Sequence, residues 1–141
     1  MSITTLAPAR TRSAAARATG VALAAAVLGN LVVWGAARLL GADFHVVRPD
    51  GAAFTVGAGP VVVFTVGSIV VGGLALVVAS RLSTRAWSAL AWLGLAIGIL
   101  TVPMPFTVTA DLDTQLALVV MHLLTGLAWF VALRRGVTRP E

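Results

Sequence analysis

Residues 60–80 read PVVVFTVGSIVVGGLALVVAS, and RLSTR at 81–85 leads straight into AWSALAWLGLAIGILTV at 86–102. A helix needs roughly 20 consecutive apolar residues to cross the hydrocarbon core of a bilayer. Both runs meet that need, and a connection as short as RLSTR folds the second helix back antiparallel to the first. The pair therefore reads as a helical hairpin crossing a membrane twice, with Arg81 and Arg85 at its turn.

Outward from this hairpin the same pattern repeats. Uncharged stretches cover Gly20–Ala37, Gly51–Ser80, Ala86–Ala110 and Thr114–Leu133. The expected fold class is all-α, a four-helix transmembrane bundle with spans at about 19–40, 60–80, 86–102 and 114–133. Residues 1–18 are Ser, Thr, Ala, Pro and Arg for the most part, a composition that buries little, and read as a basic disordered tail. Residues 19–135 form the membrane domain and 136–141 a second tail. Composition agrees: of 141 residues 59% are hydrophobic and 11% charged, with mean hydropathy +0.99. A soluble domain is about a quarter charged.

The net charge of +5 comes from ten arginines without a lysine. They cluster at the ends of apolar spans, so anionic lipid headgroups fit them better than nucleic acid. With the N-terminus in the cytoplasm, that side receives Arg10, Arg12, Arg17, Arg81, Arg85, Arg134, Arg135 and Arg139. The opposite side receives Arg38 and Arg48, beside Asp43, Asp50, Asp111 and Asp113. This positive-inside bias places both termini in the cytoplasm of a bacterial plasma membrane. A competing reading takes Val21–Val33 and Gly35-Ala36-Ala37 as a secretory signal. The apolar stretch is longer than such signals require.

The longest connection, 41–59, contains Arg48-Pro49-Asp50-Gly51 between β-branched and aromatic residues. Pro49 and Asp50 suit the centre of a turn, and Gly51 suits a position with φ > 0. A short hairpin outside the cytoplasm and an irregular loop over the bundle mouth both remain open. Span 3 stops before Pro103 and Pro105. Asp111 or Asp113 can cap span 4, and Arg134 and Arg135 lie at its C-terminal end, where the helix dipole favours cations.

Small residues four apart let helices approach closely in lipid. Gly94 with Gly98, Ser68 with Gly72, and Ala25 with Gly29 have this spacing, which serves either packing inside one bundle or a homodimer face. Trp34, Trp87, Trp92 and Trp129 fall mostly in the outer thirds of spans, where interfacial anchors sit.

Two polar side chains lie deep. Asn30 is about 15 Å and His122 about 12 Å below the same boundary at 1.5 Å rise per residue. Asn30, Trp34 and Arg38 share one helix face; Gln115, His122 and Trp129 share another. If the faces meet, Asn30 reaches His122, and Arg38 reaches Gln115, Asp111 or Asp113. Such a stripe either lines a small cavity, with His122 moving a proton or binding a ligand and Arg38 holding an anion, or is a satisfied structural bridge.

Other chemistry lacks its residues. There is no cysteine, and His45 and His122 show no metal-ligand spacing, so no metal or cofactor is expected. A second deep histidine for haem, a GxSxG or Walker motif, and a paired intramembrane carboxylate are all missing. No Asp or Glu lies inside a span, which argues against a small proton-coupled exporter.

The arginine-rich start, the Asn30 span, Pro103-x-Pro105 and Asp113-Thr114-x-Leu116-x-Leu118-x-x-Met121-His122-Leu123 together resemble a family of uncharacterised four-span membrane proteins of actinobacteria, over about residues 18–135. The resemblance implies four helices and an integral membrane location. That family has no established activity, so no catalytic residue follows from it. The residues point first to a non-enzymatic bundle that binds a membrane-protein partner, a lipid or another copy of itself. A small-molecule or ion translocator using Asn30, Arg38 and His122 comes second, and a membrane enzyme with His122 as acid/base third.

Overall fold

A computed structural model describes residues 12–138. Helix α1 is Arg12–Leu39, followed by strands β1 (His45–Val47) and β2 (Ala53–Thr55). Helices α2 (Ala58–Ala79) and α3 (Thr84–Leu100), a 3-10 turn at Met104–Thr107 and helix α4 (Leu112–Thr138) complete the order. The expected four-helix architecture is what the chain adopts. Each helical segment is long and apolar enough to cross a membrane, with mean hydropathy from 1.8 to 2.6. Helix α2 alone, at 22 residues, spans about 33 Å.

The bundle is inside-out by the standard of a soluble protein. Its interior on α1 is Ala15, Ala18, Ala22 and Ala26, while Leu28, Val32 and Leu39 of the same helix face outward. Helices α2, α3 and α4 likewise turn Phe64, Leu74, Leu93, Leu100 and Leu127 out. Water would penalise so continuous an apolar exterior. In lipid it costs nothing, and cohesion comes from close packing and interhelical hydrogen bonds. Accordingly, α1 lies against α2 and α4, and α3 lies against α4, whereas the contact of α2 with α3 is much looser than these three.

Helix α1 already begins at Arg12, ahead of the expected start at Thr19, so the disordered tail proposed for 1–18 does not hold for 12–18. Alanine-rich 14–18 has high helix propensity, and Ala15 and Ala18 are buried. Arg10 and the rest of that tail lie outside the described residues. At the other end α4 continues through Arg134 and Arg135 to Thr138, past the expected boundary, and Arg139 lies outside the described residues.

Helix α1 closes with Gly41 at φ +107. Gly41 N–H donates to Arg38 O at 3.2 Å and Ala42 N–H to Ala37 O at 3.0 Å, the paired bonds of a Schellman cap. The connection that follows is the hairpin. His45 pairs with Thr55, Val46 with Phe54 and Val47 with Ala53, antiparallel. Gly51 N–H donates to Arg48 O at 2.9 Å and Arg48 N–H to Ala52 O at 2.9 Å, with Gly51 at φ +84. This is a type I turn followed by a glycine bulge.

The hairpin is fastened to the bundle. Val47 exchanges two 2.9 Å backbone bonds with Thr109 of the α3–α4 connection. Phe44, fully buried at φ +57, donates its N–H to Thr114 Oγ1 at 3.1 Å, and its ring lies 6.3 Å from that of Trp34. Trp34 Nε1 in turn donates to Val56 O at 3.0 Å. Asp111 and Asp113 do not cap α4 through their side chains among the described residues. Both are exposed, and the well-placed hydroxyl of Thr114 serves the Phe44 amide.

Two tryptophans are core residues rather than interfacial anchors. Trp87 is fully buried and its Nε1 donates to Leu133 O at 3.2 Å. Trp129 lies between Gly72 of α2 and Gly94 of α3, and its Nε1 donates to Leu90 O at 2.9 Å. A missing side chain on each glycine makes room for the indole.

Candidate functional site

Asn30 joins three helices. Its Nδ2 donates to Thr65 Oγ1 of α2 and to Thr125 Oγ1 of α4, each at 2.9 Å. The orientation of the amide follows from the threonines. Thr65 Oγ1 donates to Val61 O at 2.7 Å and Thr125 Oγ1 to Met121 O at 2.8 Å, so both hydroxyl hydrogens are committed to carbonyls one turn back. Each threonine oxygen can then only accept, and the amide presents its NH2 to both. Asn30 Oδ1 is left buried without a hydrogen-bond partner.

The expected Asn30–His122 bond is not formed. His122 Nδ1 lies 2.7 Å from Leu118 O. A carbonyl accepts only, so in the neutral ring Nδ1 carries the hydrogen and Nε2 a lone pair. Among the described residues Nε2 has no hydrogen-bond partner. Both side chains line the same cleft, yet the threonines, not the histidine, bond the amide.

Around this cluster runs a cleft. One part, of about 350 Å³, is lined by Asn30, Thr65, Ser68, His122 and Thr125 among apolar neighbours such as Met121, and reaches Val56 beneath the hairpin. The other, of about 400 Å³, has α2 and α3 as walls and α4 as floor, and shares Ser68, His122 and Thr125 with the first. It exists because α2 and α3 pack loosely, and its wall residues Val71, Leu93 and Ile97 are exposed. No Arg, Asp or Glu lines either part. Ser68 Oγ donates to its own helix at Phe64 O, 2.8 Å away, and its oxygen stays available as an acceptor.

The other residues singled out from the sequence lie elsewhere. Arg38 Nη1 donates to Asp43 O at 2.9 Å and Ala42 O at 3.4 Å, tying α1 to the loop before the hairpin rather than reaching Gln115, Asp111 or Asp113. The carbonyls released at the helix end are simply nearer. Gln115 Nε2 donates to Val108 O at 3.2 Å. At the hairpin tip, Ala52 N–H donates to Asp50 Oδ1 at 3.0 Å and holds that carboxyl below its ordinary value; Arg48, bonded to Oδ2 at 2.9 Å, adds to the effect. No cluster that could hold a metal occurs among the described residues.

The small residues divide. Gly98 meets Gly126 backbone to backbone, Gly94 and Gly72 receive Trp129, and Gly29 receives Leu124. Ser68 lines the cleft, and Ala25 is exposed, with Ala22 and Ala26 taking the interior instead. Sequence reasoning missed Thr65, Thr125 and Gly126. The available signal was a hydroxyl in each of two apolar runs near the depth of Asn30, and a small residue on span 4 opposite the Gly94–Gly98 pair.

No curated protein and no solved structure matches the chain. A family model matches residues 10–139, nearly the full length, and the protein accordingly belongs to DUF6069, a family of unknown function.

Proposed function

We propose that this multi-pass membrane protein is a non-enzymatic binding module that holds a lipid in the cleft between α2 and α3. One observation carries the reading: an apolar cavity of about 400 Å³, floored by α4, lies between α2 and α3 with exposed residues on its walls. Ligand sites are typically concave, mostly apolar cavities of 300–1,000 Å³ with a few polar groups. Here those groups are Ser68, Thr101, His122 and Thr125. Arg38 lies outside the cleft, which removes the anion-holding group from the translocator reading.

Arginine placement orients the module, with both termini in the cytoplasm of a bacterial, actinobacterial plasma membrane and the hairpin on the far side. Arg81, Arg85, Arg134 and Arg135 then meet anionic headgroups. The glycines on α3 are consumed inside one bundle, so association with another copy or a membrane partner would use other faces.

Purified full-length protein should carry lipid through washing in mild detergent, detected by native mass spectrometry. Ala75→Phe fills the cleft from an exposed wall position and should remove the adduct while leaving helicity unchanged. Wild-type protein without bound lipid, or an adduct retained by Ala75→Phe, overturns the reading. Reporter tags on opposite sides of the membrane would overturn the orientation.

A further inference from the structure

The hydrogen-bonding inventory of the cleft specifies the head of its ligand. Four hydroxyl side chains there have committed their hydrogens: Thr65 to Val61 O, Thr125 to Met121 O, Ser68 to Phe64 O and Thr101 to Ile97 O. Asn30 has spent its NH2 on the two threonines, and His122 has spent its Nδ1 hydrogen on Leu118 O. What remains is acceptors, His122 Nε2 and Ser68 Oγ; Asn30 Oδ1 also lacks a partner but is buried inside the bundle, with no surface open to the cleft. The side chains of the polar floor therefore have lone pairs to offer and no spare hydrogen.

A carboxylate or phosphate brings only more lone pairs, and no cationic side chain lines the cleft to draw it in. A cationic head would enter without any Asp or Glu as counter-ion. An uncharged head with O–H hydrogens satisfies the floor at no cost in charge. Bulk acyl chains fill the apolar part but leave the acceptors unpaired. We propose that the cleft selects an uncharged lipid with a hydroxylated head, a monoacylglycerol-like diol, whose hydroxyls donate to His122 Nε2 and Ser68 Oγ. This rests on the lipid-binding reading and names the ligand class for the same site.

The test is competition for tritium-labelled 1-O-dodecylglycerol on the purified full-length protein in detergent. Competitors are unlabelled 1-O-dodecylglycerol, the same compound with both hydroxyls methylated, and dodecanoate. The free diol should compete about tenfold better than its dimethyl ether, as expected when two hydrogen bonds are lost, and dodecanoate should compete least. His122→Phe should reduce the diol's advantage several-fold without abolishing ether binding. Ser68→Ala, at an exposed position of the cleft, should do the same.

Equal competition by diol and ether overturns the inference, water then filling the floor, while the lipid-binding reading survives. Preference for dodecanoate, or a diol advantage unchanged in His122→Phe, overturns it too. Absence of any saturable binding overturns both.

Discussion

Replacing Gly98 by alanine probes a backbone-to-backbone contact between α3 and α4. A Cβ built there lies 3.0 Å from Gly126 Cα and 3.0 Å from His122 O, and both are backbone atoms that cannot rotate away. Carbon atoms rest at about 3.5–4.0 Å, so α3 must retreat from α4 by roughly half an ångström or more. Overpacking of this kind costs about 1–3 kcal/mol. Alanine returns about 0.5–1 kcal/mol through its higher helix propensity, leaving a net loss of about 1–2 kcal/mol. Gly67→Ala is the control, since nothing lies within 4 Å of its Cβ position. Equilibrium unfolding in mixed micelles of increasing SDS content should place Gly98→Ala below wild type and Gly67→Ala level with it or above. Equal stability of the two variants would refute the reasoning. So would a change in self-association with unfolding unaltered, because the glycine pair would then be serving a dimer.

Asn30→Leu removes two interhelical bonds; at roughly 0.6 kcal/mol each in membranes, the same assay should show a loss of about 1 kcal/mol, and Thr65→Val should cost less in that background than alone. Phe44→Ala empties the buried site under the hairpin and should cost about 3 kcal/mol or more, read as faster hydrogen exchange at Val47 and Thr109, whose amides bond each other's carbonyls. Asp50 should titrate below its ordinary 3.8. Because its folded value is depressed, the stability it adds is present above the unfolded value and lost as pH falls through the folded one. Carboxyl-detected NMR should find the depression reduced but still present in Arg48→Ala, since the Ala52 N–H, the first cause, remains.

The spans were legible because charge is excluded from hydrocarbon, and the turn because Pro49, Asp50 and Gly51 each constrain the backbone differently. Asn30 was legible as a node since an amide in lipid must find partners. Its partners were not. Spacing gives a residue's depth and face along its own helix, but not which neighbour turns toward it. Threonine adds a second difficulty: Thr65 and Thr125 satisfy their own hydrogens one turn back, so nothing in the sequence demands that they meet anything. The tryptophans failed for a related reason. A tryptophan near a helix end looks alike whether it faces lipid or core, and only the gaps at Gly72 and Gly94 draw Trp129 inward. Ala25 illustrates the ambiguity of abundance, since in so alanine-rich a helix several small-residue registers compete, and the one through Ala22, Ala26 and Asn30 is buried.

An apolar cleft between two helices does not stay empty in a bilayer, because acyl chains flow into any gap wide enough. Occupancy of the walls by itself therefore confers no selectivity. On the proposed reading selectivity comes from the floor, where Thr65, Ser68, Thr101 and Thr125 commit their hydrogens to their own helices and His122 commits its Nδ1 hydrogen to Leu118 O. The acceptors left over, His122 Nε2 and Ser68 Oγ, are ones that a bulk acyl chain cannot satisfy. An acceptor left without a partner in apolar surroundings costs about 1–3 kcal/mol, enough on its own to favour a hydroxyl over a methylene by about tenfold. Asn30 supports this floor from behind, holding α2 and α4 against α1 with its Oδ1 buried inside the bundle, so a leucine there should weaken the fold, while His122→Phe should touch discrimination alone.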